Sequence, residues 1–190
     1  MDYKVHIPEG VSGDWGVETY TAPYDPYMSE RLAQVGRNYV PGSYTRLYYK
    51  RPTNVVMSDT PDEYADHTEA IERASGRVLI NGLGIGMVLK AMLAKPSVTH
   101  IDVVEIEADV LSLVAPYYSD PRITYHHASA YTIKWPEGFQ WDLAWHDIWP
   151  TMDSQNLEDM AHLMRKYEDR VQWQGCWGME YCLHLLIGGL

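Results

Sequence analysis

Arg77-Val78-Leu79-Ile80-Asn81-Gly82-Leu83-Gly84-Ile85-Gly86 is the run that decides the fold of this 190-residue chain. Its first five residues are an apolar stretch of strand length, and three alternating glycines then break it. The pattern predicts a helix over 87–94, stopped at Lys95-Pro96, and a second strand, His100-Ile101-Asp102-Val103-Val104. That strand ends on Glu105, 23 positions beyond Gly82, close to the roughly 20 at which an acidic residue meets ribose hydroxyls. Strand, glycine turn, helix and strand together read as a nucleotide-binding βαβ unit. Each part has a physical job. Glycine permits positive φ and lets a ligand lie against bare backbone, a helix start offers N–H groups, and a carboxylate on the next strand accepts from a diol.

The glycine spacing bears on the ligand. A dinucleotide fingerprint needs its third glycine one place later, where Met87 sits, so the pattern is G-x-G-x-G. This resembles motif I of class I S-adenosylmethionine-dependent methyltransferases, with Glu105 matching the acidic residue that closes their second strand. The resemblance implies S-adenosylmethionine or a related adenosyl nucleoside as cofactor, held by Gly82, Leu83, Gly84, Gly86, Glu105 and Ile106.

Composition narrows the classes. The length suits one main α/β domain with a small extension. Two cysteines, Cys176 and Cys182, make no disulfide framework, and no charged-then-apolar leader or run of membrane length occurs, so a cytoplasmic protein without membrane contact is expected. Twenty-six acidic against 15 basic residues give a net charge of −11, which repels a phosphate backbone and disfavours nucleic acid as partner. The 15 Tyr and 7 Trp beside a single Phe suit core and interface packing with polar tips.

Upstream, residues 1–40 carry few periodic apolar positions and read as loops with one strand around Gly16-Val17-Glu18-Thr19-Tyr20. Tyr44-Thr45-Arg46-Leu47-Tyr48-Tyr49 and Asn54-Val55-Val56-Met57, separated by Arg51-Pro52-Thr53, predict an antiparallel hairpin. Thr60-Pro61-Asp62-Glu63 is a capping box that opens a helix running to about Ala74, before Gly76. Residues 1–59 thus form an N-terminal β-rich extension and 60–190 the nucleotide-binding domain. Hairpin, helix and glycine turn resemble spermidine synthases and related aminopropyltransferases, whose acidic D-E-x-x-Y-H-E-like helix matches Asp62-Glu63-Tyr64-Ala65-Asp66-His67. The likeness covers roughly 54–150. It implies His67 at the cofactor's amino-acid end and Tyr64 beside the substrate.

Downstream, an amphipathic helix over 108–115 and Asp120-Pro121 lead to a third strand, Arg122-Ile123-Thr124-Tyr125-His126, followed by His127-Ala128-Ser129-Ala130. The resemblance places Ser129 and Ala130 at the adenine, with Ser129 where methyltransferases commonly carry an Asp. Serine accepts without charge, which weakens the contact. His126 and His127 point to opposite faces and cannot share an ion, so no metal is expected. Trp141-Asp142-Leu143-Ala144-Trp145-His146-Asp147 is a fourth strand delivering Asp147-Ile148-Trp149-Pro150 to the sheet's carboxyl edge, where open α/β sheets bind ligands. Asp147 matches the aminopropyltransferase Asp that helps deprotonate the attacking amine, Trp149 is a candidate wall for a planar or cationic substrate, and alternation sends His146 to the other face. A helix over 153–169, a short strand over 171–174, a turn at Gly175 and an amphipathic helix over 177–186 complete the chain.

The expected fold is α/β, a Rossmann-like class I methyltransferase sheet reduced to about five core strands. The usual antiparallel edge is missing, so that edge is left open or covered by a partner or the N-terminal segment. Trp173-Gln174-Gly175 with the 146–150 run also resembles short phage-type methyltransferase-like proteins. Two departures bear on aminopropyl transfer: Ile85 stands where spermidine synthases carry an Asp, and their D-x-x-D-P has shrunk to Asp147-Ile148-Trp149-Pro150. The leading reading is a methyltransferase-like enzyme acting on a small molecule or protein. Aminopropyl transfer and non-catalytic binding of an adenosyl nucleoside are the alternatives, and open edges with many aromatics predict a homo-oligomer, a dimer by the aminopropyltransferase likeness.

Overall fold

The computed structural model describes residues 3–34 and 36–188; the loop expected at Met1, Asp2 and Val35 lies outside the described residues. In chain order the elements are β1 (Gly10–Ser12), β2 (Trp15–Ala22), α1 (Pro26–Ala33), β3 (Gly42–Tyr49), β4 (Val55–Ser58), α2 (Pro61–Asp66), α3 (Thr68–Arg73), β5 (Gly76–Asn81), α4 (Met87–Leu93), β6 (Val98–Glu105), α5 (Ala108–Val114), β7 (Ile123–His127), β8 (Trp141–His146), α6 (Asn156–Tyr167), β9 (Val171–Cys176) and α7 (Met179–Gly188).

Strands β5 to β9 form one sheet in the order β7-β6-β5-β8-β9, every pair parallel. This is a five-stranded Rossmann-like sheet. The chain winds from β5 outward through β6 to β7, then returns to β8 and winds the other way, so the strand order reverses between β5 and β8. At such a reversal the loops leave in opposite directions and open a crevice at the strands' carboxyl ends. The central strand β5 reads as a continuous apolar run, Val78 to Ile80, because both of its faces are covered. Val78, Ile80, Ile101, Val103, Leu143 and Trp145 join a core with α3, α4 and α5, whereas Leu79, Val104 and Ala144 join Met160, Leu163 and Tyr167 of α6.

Strands β1 to β4 form a separate antiparallel sheet in sequential order. The expected β3–β4 hairpin is present. The region expected as loops with one strand instead contains β1, β2 and α1, the helix opened by Pro26 after Asp25, whose side chain accepts from Met28 N. Its eight residues bury nothing, which is why apolar periodicity gave no sign of it. The N-terminal sheet packs on α5, where Ser12 Oγ donates to Asp109 Oδ1 (2.6 Å) and Trp15 Nε1 to Glu107 Oε2 (3.3 Å). Val5, Ile7, Val17, Leu47 and Met57 carry it into the same apolar core as β5.

Three further expectations are corrected. The helix expected from Thr60 to Ala74 is two helices, because His67 takes φ −103° and ψ −2° and turns its ring inward. Gly175 is no turn but lies within β9, where a Cβ would sit 2.9 Å from the rings of both Trp145 and Trp173. Those two indoles stack at 6.4 Å across the bare backbone. Finally, α7 is not amphipathic towards the protein. It buries Cys182 and leaves Tyr181, Leu183, Leu185, Leu186 and Ile187 exposed, while β9 pairs only with β8 among the described residues. No helix of the described residues is long and apolar enough to cross a membrane.

Candidate ligand-binding site

The crevice between β5 and β8 is a cavity of about 320 Å3, at the lower end of the roughly 300–1,000 Å3 typical of small-molecule sites. Gly82, Gly84, Glu105, Ile106, Ser129, Ala130, Asp147 and Trp149 all line it, from the ends of β5, β6, β7 and β8. Backbone geometry makes the approach possible. Gly82 has φ +98°, and a Cβ there would stand 1.9 Å from the carbonyl oxygen of Asp147. Asp147 N donates to Asn81 O (2.8 Å), so the segment after β8 is sewn directly against the glycine turn.

Several of the turn's N–H groups are engaged within the protein. Leu83 N donates to Glu105 Oε2 (2.9 Å), Gly86 N to Leu83 O (2.9 Å) and Ile85 N to Met57 Sδ (3.4 Å). Neither Leu83 nor Gly86 borders the cavity; Gly86 opens α4 against the ring of Tyr118. Glu105 also accepts from Glu107 N (2.9 Å). Its burial raises the carboxyl pKa despite those two bonds, and each oxygen keeps a lone pair for a ligand hydroxyl.

Two other residues singled out from sequence stand away from the cavity. His67 is fully buried behind Asp147, with Trp145 Nε1 on its Nδ1 (3.2 Å). Tyr64 stacks on Tyr3 with ring centroids 5.0 Å apart. His146 does turn to the opposite face. Gln174, oriented by its bond to Met164 O (3.0 Å), accepts from His146 Nε2 (3.1 Å), leaving His146 Nδ1 to accept from Asn81 Nδ2 (2.7 Å). His126 and His127 diverge as strand neighbours must: His126 Nε2 bonds Asp102 (2.9 Å) and His127 Nε2 bonds Ile106 O (3.0 Å). Burial pushes the Asp102 pKa up, but bonds from His126, Trp141 and Arg77 outweigh it and hold the group below its ordinary value.

The residue that sequence reasoning missed is Glu63. In the sequence it ends a capping box and belongs to the acidic helix run, and neither pattern puts it in the site. Thr60 Oγ1 does accept from Glu63 N (3.3 Å), but the Glu63 carboxyl bypasses the cap and accepts from Ser58 N (2.8 Å) and Ser58 Oγ (2.6 Å), lining the cavity. Burial pushes its pKa up to about 7, against the pull of those bonds. Asp147, with its side chain 14% exposed, is raised well above the ordinary carboxyl value, by burial first and then by Glu63, Glu105 and Asp66. Burial among these acids therefore favours the neutral form of the carboxyl that the aminopropyltransferase likeness assigns to proton transfer. Trp15, Leu47, Val56 and Met57 of the N-terminal sheet complete the wall, and no spacing pattern announced them.

Glu63 gives a pH signature. An acid whose folded pKa lies above its unfolded value holds its proton more tightly in the fold. That stability is intact below about pH 4.5 and lost as pH rises through about 7, roughly 3 kcal/mol in all. Denaturant titrations of Glu63→Gln and parent should diverge by about 2–3 kcal/mol between pH 5 and pH 8, the variant gaining at the higher pH. Parallel curves would show that Glu63 ionises normally.

No family model matches the chain, and no curated protein matches it. Among solved structures it is similar to an S-adenosylmethionine-dependent methyltransferase from Mesorhizobium loti, at 18% identity over 56% of this chain and 49% of that one, TM-score 0.41. It is also similar to a dimethyladenosine transferase from Plasmodium falciparum (17% identity, 58% and 38%, TM-score 0.45). A third is a SAM-dependent methyltransferase from Leishmania major (17%, 59% and 49%, TM-score 0.43). The chain spans half or less of the length of each.

Proposed function

We propose that the chain is an S-adenosylmethionine-dependent methyltransferase-like enzyme acting on a small molecule or a protein, with that cofactor or a related adenosyl nucleoside in the cavity at the strand reversal. One observation carries the reading: six residues singled out for a nucleoside, Gly82, Gly84, Glu105, Ile106, Ser129 and Ala130, border one cavity together with Asp147. The lining suits such a ligand. Glu105 offers acceptors for a ribose diol, Ser129 an uncharged acceptor for an amine, Ile106, Ala128, Ala130 and Ile148 an apolar bed for a base, and Glu63 with Asp147 a carboxyl pair for a cation.

The bound cofactor would supply an already activated methyl group. What remains for the protein is positioning and proton handling. Positive charge entering beside Asp147 and Glu63 favours their ionised forms, so Asp147 becomes able to take the acceptor's proton at a carboxyl oxygen. Trp149, buried against the cavity, gives a flat face that limits how the acceptor lies. Aminopropyl transfer is the second reading, favoured by Glu63 and Asp66, which bring to Asp147 the acidic company that its own segment lacks.

Isothermal titration with S-adenosylmethionine, its decarboxylated form and NAD tests both readings. Binding of the first without NAD is expected; NAD alone, or nothing, would sink the assignment. Glu105→Ala should weaken S-adenosylmethionine by roughly tenfold to a hundredfold, about 1.5–3 kcal/mol, in a folded variant. Self-association belongs to the same proposal, supported by the outer edge of β9, unpaired among the described residues, and by the exposed apolar residues of α7. Sedimentation at micromolar concentration should show a dimer, and a pure monomer would remove that part.

A further inference from the structure

His67 joins α2 to α3 with its side chain wholly buried, and its ring meets Trp145 of β8 edge-on, 5.8 Å between centroids and 81° between planes. Trp145 Nε1 lies 3.2 Å from His67 Nδ1. An indole nitrogen only donates, so Nδ1 is the accepting nitrogen and the neutral ring carries its proton on Nε2. That Nε2 has no hydrogen-bond partner among the described residues, and Asp147 Oδ2 stands 3.9 Å from it. Burial lowers the ring's pKa to about 3, so it serves as a donor without adding charge. A buried donor left unpaired is rare and unfavourable, whereas a shift of about 1 Å brings the pair within the range of a charge-assisted hydrogen bond.

We propose that His67 is a positioning residue for Asp147: Trp145 locks the imidazole in its Nε2–H tautomer, and this fixed donor engages the Asp147 carboxylate whenever that group ionises. The titratable groups facing Asp147 from the surrounding elements are Glu63 and Asp66 of α2 and Glu105 at the end of β6, all acids. Arg37, the cation beside Asp66, is already committed to Asp62 (2.6 Å) and Asp66 (2.9 Å). His67 therefore supplies a donor where the nearby charges oppose the anion. No proton passes to the imidazole: the acceptor's proton goes to Asp147, and His67 orients and stabilises the anion before that transfer. This role in turnover rests on Asp147 as the proton acceptor; the tautomer and the hydrogen bond do not.

Two ligand-free measurements on the full chain test the proposal. Nitrogen-15 NMR of labelled histidines should show His67 as a neutral Nε2–H ring in the parent, and a mixture of tautomers in Trp145→Phe. Infrared difference spectra against Asp147→Asn follow the protonated carboxyl of Asp147 through its titration. His67→Phe should raise its midpoint by about one pH unit, and His67→Gln, which keeps a side-chain N–H donor, should restore most of that shift. An Nδ1–H ring in the parent, or a midpoint unmoved by His67→Phe, overturns the proposal. Should His67→Phe fail to fold, the parent tautomer and Trp145→Phe still decide it. Absence of S-adenosylmethionine binding would overturn the cofactor reading while leaving both signals readable.

Discussion

Asp147→Asn is expected to lower kcat by roughly 10²–10⁴-fold while leaving S-adenosylmethionine affinity within a few-fold, because the amide keeps the shape and polarity of the protonated carboxyl but cannot take a proton. Stability should move the other way. Burial among Glu63, Glu105 and Asp66 raises the Asp147 pKa, so the native fold loses stability as pH rises above the ordinary carboxyl range. Asparagine has no such loss. The variant should therefore melt no lower than the parent at neutral pH, with an advantage that grows as pH rises. A kcat within a few-fold of the parent, once an acceptor is known, would make Asp147 structural. A large loss of stability would contradict the protonated carboxyl itself.

The second large effect is expected at Gly82→Ala. At φ +98° an L residue is strained by about 1–2 kcal/mol, and its Cβ would fall 1.9 Å from the Asp147 carbonyl oxygen. That atom belongs to backbone tied to Asn81 O, so it yields only by opening the join between β5 and the segment after β8, an overpacking cost of about 1–3 kcal/mol more. A loss of roughly 2–5 kcal/mol would lower Tm by about 4–20 °C in a chain of this size, and ligand binding should fail with it. Gly138→Ala is the control. Gly138 has φ +72° with nothing near its Cβ position, so only backbone strain applies, about 1–2 kcal/mol. Equal losses at both positions would show that the close approach at Gly82 carries no energy.

What could be read from the sequence divides along a physical line. The βαβ unit, the sheet and the cavity-lining glycines were legible because strands buried on both faces leave apolar runs, and a turn that meets another backbone demands glycine; Arg77 to Gly86 shows both. Glu105, Ser129 and Asp147 were legible because each lies at or within two residues of a strand's carboxyl end. His67 was misplaced. A residue on an acidic helix says nothing of a break at its own φ and ψ, and that break turns its ring towards Trp145 of a strand 78 positions later. Glu63 was half legible for a similar reason. Its place in the box predicts a local bond, but the nearer Ser58 backbone, brought in by the hairpin, competes successfully. The contribution of Met57 had no signal at all, since contact between a thioether and the glycine turn depends on how two sheets dock.

That docking has a thermodynamic consequence. Trp15, Leu47, Val56 and Met57 close one wall of the cavity, so the pocket is complete only in molecules whose N-terminal sheet is seated on α5. The apparent dissociation constant is the intrinsic one divided by the seated fraction, and ligand must in turn favour the seated form by the same factor. Asp59, buried and accepting from Val5 N (2.8 Å) and Thr45 N (2.6 Å), ties the N-terminal residues and β3 to the end of β4 and so holds that sheet together without lining the cavity. Loosening the first sixty residues would therefore weaken binding by removing that wall while leaving the lining of the larger sheet in place, and by the same linkage a ligand bound in the cavity would protect them from unfolding and proteolysis.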